Sequence, residues 1–284
     1  MSAADPSGAQ LLVVVDPVAR RVDGESTRIA RDVLCAGAVA KIALPGGPEE
    51  VARAVARRGR RRIVVIGDDR ALLRVVALLH RRRELTETPL AWVPVGALPT
   101  VTVARTLGVP LGAVAAARAV LDGEQHRLGL LADEDDGVVL GGLWAPAGAA
   151  ATAAHRHAPA RTPAEAAVRT AARTALTLLT GPSSGRHAVP GAGLRLRIEA
   201  DGEVLADLDR PLGRVSVSAG PDGAADVVVH APAASPEPLR VRARTVTLSG
   251  PDFRYRADNR VRGPVRTRTW TALPEAWRLT LPRG

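Results

Sequence analysis

Two regimes of apolar and polar patterning follow one another along the chain. Through residues 10–126, short continuous apolar runs alternate with stretches of helical period. "VAKIAL", "RIVVIG" and "PLAWVPV" read as strands two to four, and strand one, "LLVVVD" (Leu11 to Asp16), is apolar at consecutive positions from Leu11 to Val15. That is the pattern of parallel strands buried on both faces. Between them lie "RIARDVLCAG", stopped by Gly37, and "PEEVARAVARR", with Pro48, Glu49 and Glu50 in its first turn. Proline fits a first turn, and the helix dipole favours acids there. "RALLRVVALLHRR" carries Leu72, Val75, Val76 and Leu79 on one face, and "AVAAARAVLDG" is a further helix. Strand and helix in alternation predict a doubly wound, mainly parallel sheet.

From residue 127 to about 275 the texture changes to β. "DEDDG" (Asp133 to Gly137) reads as a hairpin turn between "LGLL" and "GVVLGGLW". One helix is predicted near 163–180, capped by Thr162, with Pro163 in its first turn and Glu165 closing a capping box. Then "LRLRIEA", "EVLADL", "RVSVSA", "DVVVHA", "LRVRARTVTLSG" and "DFRYRAD" alternate with period two. This predicts an antiparallel β-sandwich. Asp201 and Gly202 read as a hairpin turn, and "APAASPEP" (Ala231 to Pro238) as a short loop. The last strand, about 276–283, is a candidate to return to the first domain. The fold class is therefore α/β plus β.

Composition narrows the function. Only 2% of residues are aromatic, so aliphatic side chains must fill the core. The single Cys35 excludes an internal disulfide framework and a cysteine metal cluster, and reads as a small buried residue on a helix. The net charge is +10, yet Lys41 is the only lysine and the arginines are spread along the chain. The dense runs "ARRGRRR" (Ala56 to Arg62) and "HRRR" (His80 to Arg83) read as solvated helix ends and loops. With so few stacking aromatics, this argues against nucleic acid as a partner. The histidines form no metal spacing, and His155 and His157 read as surface residues. No apolar run approaches the ~18 residues of a membrane span. The first residues carry no basic region, and a cytoplasmic location is the expectation.

Ligands of open α/β sheets bind beyond the carboxyl ends of the strands. The turns concerned are Asp16-Pro17, Gly67 to Ala71 and Pro94 to Thr100. Here "VVIGDDRALLRVVALL" (Val64 to Leu79), followed by "PLAWVPVGALPTVTVARTLGVP", resembles the catalytic domain of the diacylglycerol kinase and related lipid kinases. That family carries Gly-Gly-Asp-Gly-Thr after its third strand, then Pro-x-Gly-Thr-x-Asn-Asp, then Ala-Arg-x-Leu-Gly. "ARTLGVP" (Ala104 to Pro110) and "AARAVLDGEQHRLGLL" fit the continuation. "VVVDPVAR" resembles its first strand and Asn-Pro-x-Ser-Gly turn. "FRYRADNRVRGPV" with "ALPEAWRLTLP" resembles its closing Asp-Gly-Glu segment and last strand. The resemblance spans nearly the whole chain and implies an NAD kinase/diacylglycerol kinase-like fold. It implies ATP and Mg²⁺ as cofactors and phosphoryl transfer to a lipid hydroxyl. Gly67, Asp68, Asp69, Arg70 and Gly96 would lie at the phosphates, with Asp258 as the base.

Several motif positions differ. Gly67 and Asp69 match, but Asp68 and Arg70 replace glycines and Ala71 replaces threonine. Pro94 and Gly96 match, but Ala97 replaces threonine and two extra residues follow. Asn259 is the only asparagine, so no Asn-Asp pair exists there. In the closing motif Asp258 matches, while Asn259 and Arg260 replace Gly and Glu. In the first turn Asp16 replaces the family's Asn and Arg20 its final Gly. The family's glycine-rich loop in the β domain is shortened in "LDRPLGRVSVSAGPDGAADVVV". Side chains at 68 and 70 obstruct the approach of phosphate oxygens to backbone amides. Two like charges ~5 Å apart repel by about 3 kcal/mol at an effective dielectric near 20. Asp68 and Asp69 read first as a helix cap. A second reading makes Arg70 a phosphate partner, or a metal the bridge to both aspartates.

Three functions are therefore weighed. The first is a pseudokinase with degenerate ATP-phosphate and catalytic motifs and a binding or regulatory role. The second is an active ATP-dependent lipid kinase with a divergent phosphate loop. The third is a structural or interaction module, dimeric through its β part. Expected partners are a lipid or other small molecule, a second copy of the chain, and transient contact with a membrane surface.

Overall fold

The computed structural model describes residues 10–147, 194–220, 222–232 and 237–283. β1 (Gln10–Val15) ends at Asp16, which caps α1 (Pro17–Val22), and Asp23 caps α2 (Gly24–Gly37). β2 (Val39–Ala43), α3 (Pro48–Ala56), β3 (Arg62–Gly67) and α4 (Asp69–Arg81) follow. β4 (Pro89–Pro94) leads through a 3₁₀ turn (Leu98–Thr100) into α5 (Thr102–Thr106) and α6 (Ala113–Asp122). β1 lies between β2 and β3, and β4 pairs with β3, all parallel.

In β1, β3 and β4 the continuous apolar runs reflect burial on both faces, whereas β2, at the edge of the sheet, has no buried residue and leaves Val39 exposed. Val64 and Ile66 pack with Leu34, Ala116 and Val120 on one side. Ile63 and Val65 pack with Leu72, Val76 and Leu79 on the other. Each fully buried aliphatic side chain contributes about 2 kcal/mol. α1 was not read from the sequence, although Asp16-Pro17 is a cap followed by proline at the first helical position. Cys35 is exposed on α2, against the expectation of burial. The buried positions of that helix are Thr27, Ala30 and Leu34, and position 35 follows Leu34 by one step of about 100° around the axis.

The remaining strands are antiparallel among themselves. They are β5 (Glu124–Asp133), β6 (Val138–Val139), β7 (Leu143–Ala145), β8 (Arg197–Ala200) and β9 (Glu203–Ala206). β10 (Arg214–Ala219), β11 (Ala225–His230), β12 (Leu239–Ala243), β13 (Thr245–Ala257) and β14 (Arg260–Leu281) complete the set. The result is a mixed sheet with a C-terminal β-sandwich. Its interior holds Val215, Val217, Val227, Leu248, Phe253 and Trp270. Alternate burial along β10 and β11 is the period-two signal of the sequence.

Two strand boundaries differ from the sequence pattern. "LRVRARTVTLSG" is broken at Arg244, because the Arg244 and Thr245 N–H groups donate to the Asp201 carboxylate. The closing segment and the last strand are one element, β14. Its early part pairs with β13, and Arg278 and Leu279 pair in parallel with β4. One strand thus ties the closing hairpin to the parallel sheet. The helix expected near 163–180, with His155 and His157, lies outside the described residues, as do residues 233–236 of the expected loop. Among the described residues, no helix is long and apolar enough to cross a membrane.

Candidate functional site

Three turns meet at the carboxyl end of the parallel strands. Gly67 closes β3, and its carbonyl accepts from Val95 N–H and from the Trp92 indole N–H at 2.9 Å. A Cβ at position 67 would stand 2.7 Å from Ala71 Cβ and 2.8 Å from Asp16 Cβ, so only glycine fits. Gly96 has φ +152°, and a Cβ there would meet Thr100 Oγ1 at 2.6 Å. These glycines serve close backbone packing between the turns.

The aspartates of the third-strand turn do different things. Asp68 is the N-cap of α4, and its Oδ1 accepts the Ala71 N–H at 3.0 Å. Asp69 is fully buried. Its Oδ2 accepts the Thr102 N–H at 2.9 Å and the Thr102 hydroxyl at 3.0 Å. Its Oδ1 accepts the Val103 N–H at 3.2 Å. Asp69 therefore satisfies donors at the start of α5, and only Asp68 performs the cap read from the sequence. Burial pushes the Asp69 carboxyl up to about 6 against these hydrogen bonds, with Asp258 adding a smaller upward effect.

Asp258 is the first residue of the two-residue loop joining β13 to β14, at φ +48°. Asparagine and aspartate tolerate that conformation better than most. Its carboxylate is buried. Oδ1 accepts the Gly141 N–H at 2.6 Å and the Gly142 N–H at 3.3 Å, and Oδ2 accepts the Leu140 N–H at 3.1 Å. Burial raises this carboxyl to about 6, offset in part by the three amides and by Arg262. Beside it, Asn259 donates to the Pro99 carbonyl at 2.7 Å and so links the closing hairpin to the fourth-strand turn.

Next to Asp258 lies a cavity of about 490 Å³. α4 contributes Leu73, Arg74 and Ala77, and the closing hairpin contributes Tyr255, Arg260 and Arg262. Arg74 donates to buried Asp16 at 2.8 Å. The Arg260 guanidinium is held below its ordinary range, first by burial and then by Arg262, Arg70 and Arg74.

Solved structures share this architecture. A crystal structure described as "a putative diacylglycerol kinase" from Bacillus anthracis str. Sterne superposes with a TM-score of 0.68 at 15% identity. That match covers 99% of this chain and 98% of the other. A second structure, described as a diacylglycerol kinase from the same organism, gives 0.67 at 14% identity over 98% of each chain. The chain has a diacylglycerol kinase-like fold. No protein-family model matches the sequence, and no curated protein matches it.

Within that fold, the structure brings Gly67, Asp68, Asp69, Gly96 and Asp258 to one end of the sheet. Arg70 is exposed on the first turn of α4 and lies within electrostatic reach of Arg260. The sequence reading missed Asp16–Arg74, Thr102 and the arginines of the closing hairpin. The last had a signal: Arg260 and Arg262 alternate on one strand, and Arg70 and Arg74 are one helical turn apart.

Proposed function

We propose that this chain is a lipid-kinase-fold protein that binds a ligand without transferring phosphate. One observation carries the reading. Asp69 and Asp258 spend both carboxylate oxygens, and Asp68 its Oδ1, on backbone donors of the chain itself. The Ala71 N–H, at the start of α4 where an anion would dock, already has the Asp68 carboxylate. A magnesium-bound triphosphate does not fit these residues. Among the described residues, no three His, Cys, Asp or Glu side chains come together to hold a metal. Asp68 adds negative charge where phosphate oxygens would lie. In this reading residues 10–126 supply the nucleotide-side turns and 127–275 the ligand side, with a lipid or other small molecule as the occupant.

A second reading, an active kinase, is favoured by Asp258. A carboxyl near 6, close to a cavity, suits a general base at neutral pH. The two readings separate in a thermal-shift experiment with ATP, with and without Mg²⁺. A ligand at 100 times its dissociation constant adds about 2.7 kcal/mol of stability. The binding-only reading expects no magnesium-dependent shift. A clear shift with Mg²⁺-ATP, lost in Asp69→Ala variants that still fold, supports the kinase.

A further inference from the structure

The guanidinium groups of Arg70, Arg260 and Arg262 make no hydrogen bond and no ion pair with any described residue. Yet Arg260 is half-buried, with Arg262, Arg70 and Arg74 all near enough to disfavour its charge. Like charges gathered together destabilise a folded chain, and Asp68 and Asp258 oppose this without forming an ion pair with Arg70, Arg260 or Arg262. The carboxylates of the 133–136 turn are engaged elsewhere. Asp133 accepts the backbone N–H groups of Asp135 and Gly137, Asp135 pairs with Arg268, and Asp136 pairs with Arg83. The Asp258 oxygens face backbone amides. Tyr255, the only tyrosine, also lines the cavity, and its hydroxyl has no hydrogen-bond partner among the described residues.

We infer that this cavity binds a dianionic phosphate group, a phosphomonoester or pyrophosphate, through Arg260 and Arg262, with Arg70 adding positive charge nearby, and without a divalent cation. The inference rests on the binding-only reading above and names its ligand class. Guanidinium forks match phosphate oxygens two at a time, and several together neutralise more than one negative charge. They supply the charge that a metal would otherwise bring. Tyr255 offers one further donor. A cavity of about 490 Å³ accommodates a group larger than phosphate alone.

The test is calorimetric titration of the full chain with pyrophosphate, in EDTA and again in Mg²⁺. A parallel arm uses vesicles of phosphatidylcholine with and without phosphatidic acid. It tells a soluble phosphate from a lipid headgroup. Binding of either probe is expected to persist in EDTA and to weaken with ionic strength. Arg262→Ala, at an exposed position, should weaken it about tenfold. Arg260→Met keeps the apolar stem and should also weaken binding. It should raise the melting temperature of the ligand-free chain, because one repelling charge is gone. A purely structural Arg260 would lower it. Binding that requires Mg²⁺, binding indifferent to both substitutions, or no binding of either probe overturns the inference. The proposed function fails differently. A chain that binds pyrophosphate in EDTA and also transfers phosphate keeps this site and loses that reading.

Discussion

Asp69 Oδ2 accepts both the backbone N–H and the hydroxyl of Thr102, at 2.9 and 3.0 Å. The most recognisable acid of the third-strand motif is thus tied to the helix that follows the fourth strand. Asp69→Ala would leave the Thr102 amide and the buried Val103 amide without their acceptor. A loss of about 3 kcal/mol is expected. Urea unfolding measures it. A loss below about 1 kcal/mol would show that solvent replaces the carboxylate there.

Asp68→Gly separates capping from anion exclusion. Glycine is nearly as good an N-cap as aspartate, so stability should fall by only a few tenths of a kcal/mol. The Ala71 N–H loses its side-chain acceptor, keeping only the backbone carbonyl of residue 68, and a negative charge is removed. Affinity for pyrophosphate should then rise about tenfold by calorimetry. Unchanged or weaker binding would mean that phosphate never approaches the start of α4.

The sequence made the architecture legible because its signals are local and repeated. Val64 to Ile66 reads as a strand buried on both faces, and Val215 to Ser218 as one buried on a single face. The pairings of β14 were less legible. Nothing local marks "ALPEAWRLTLP" as one end of a strand that begins at Arg260. The site was legible as positions and not as roles. Asp68 and Asp69 are neighbours of identical chemistry, and only the tertiary approach of Thr102 assigns them different partners. Arg260 and Arg262 looked like ordinary basic residues until the fold placed Arg70 and Arg74 beside them.

The buried carboxyls also set a pH dependence. Asp69 and Asp258 both titrate near 6 in the folded chain, above their ordinary value of 3.8. Between those values the folded state holds more protons than the unfolded state. Their contribution to stability is therefore full below about 4 and is lost as pH rises through about 6. Asp258→Asn has no such titration at that position. The wild-type melting temperature, taken relative to this variant, should fall between pH 4 and pH 6. A difference that rises over this interval would mean that the three amides outweigh burial at Asp258.

The most direct test is transfer of the ATP γ-phosphate to diacylglycerol in mixed micelles with Mg²⁺. The expected result is no product above the level of a protein-free control. Product that forms with the wild-type chain and disappears with folded Asp258→Asn would contradict the binding-only reading and make Asp258 a working base.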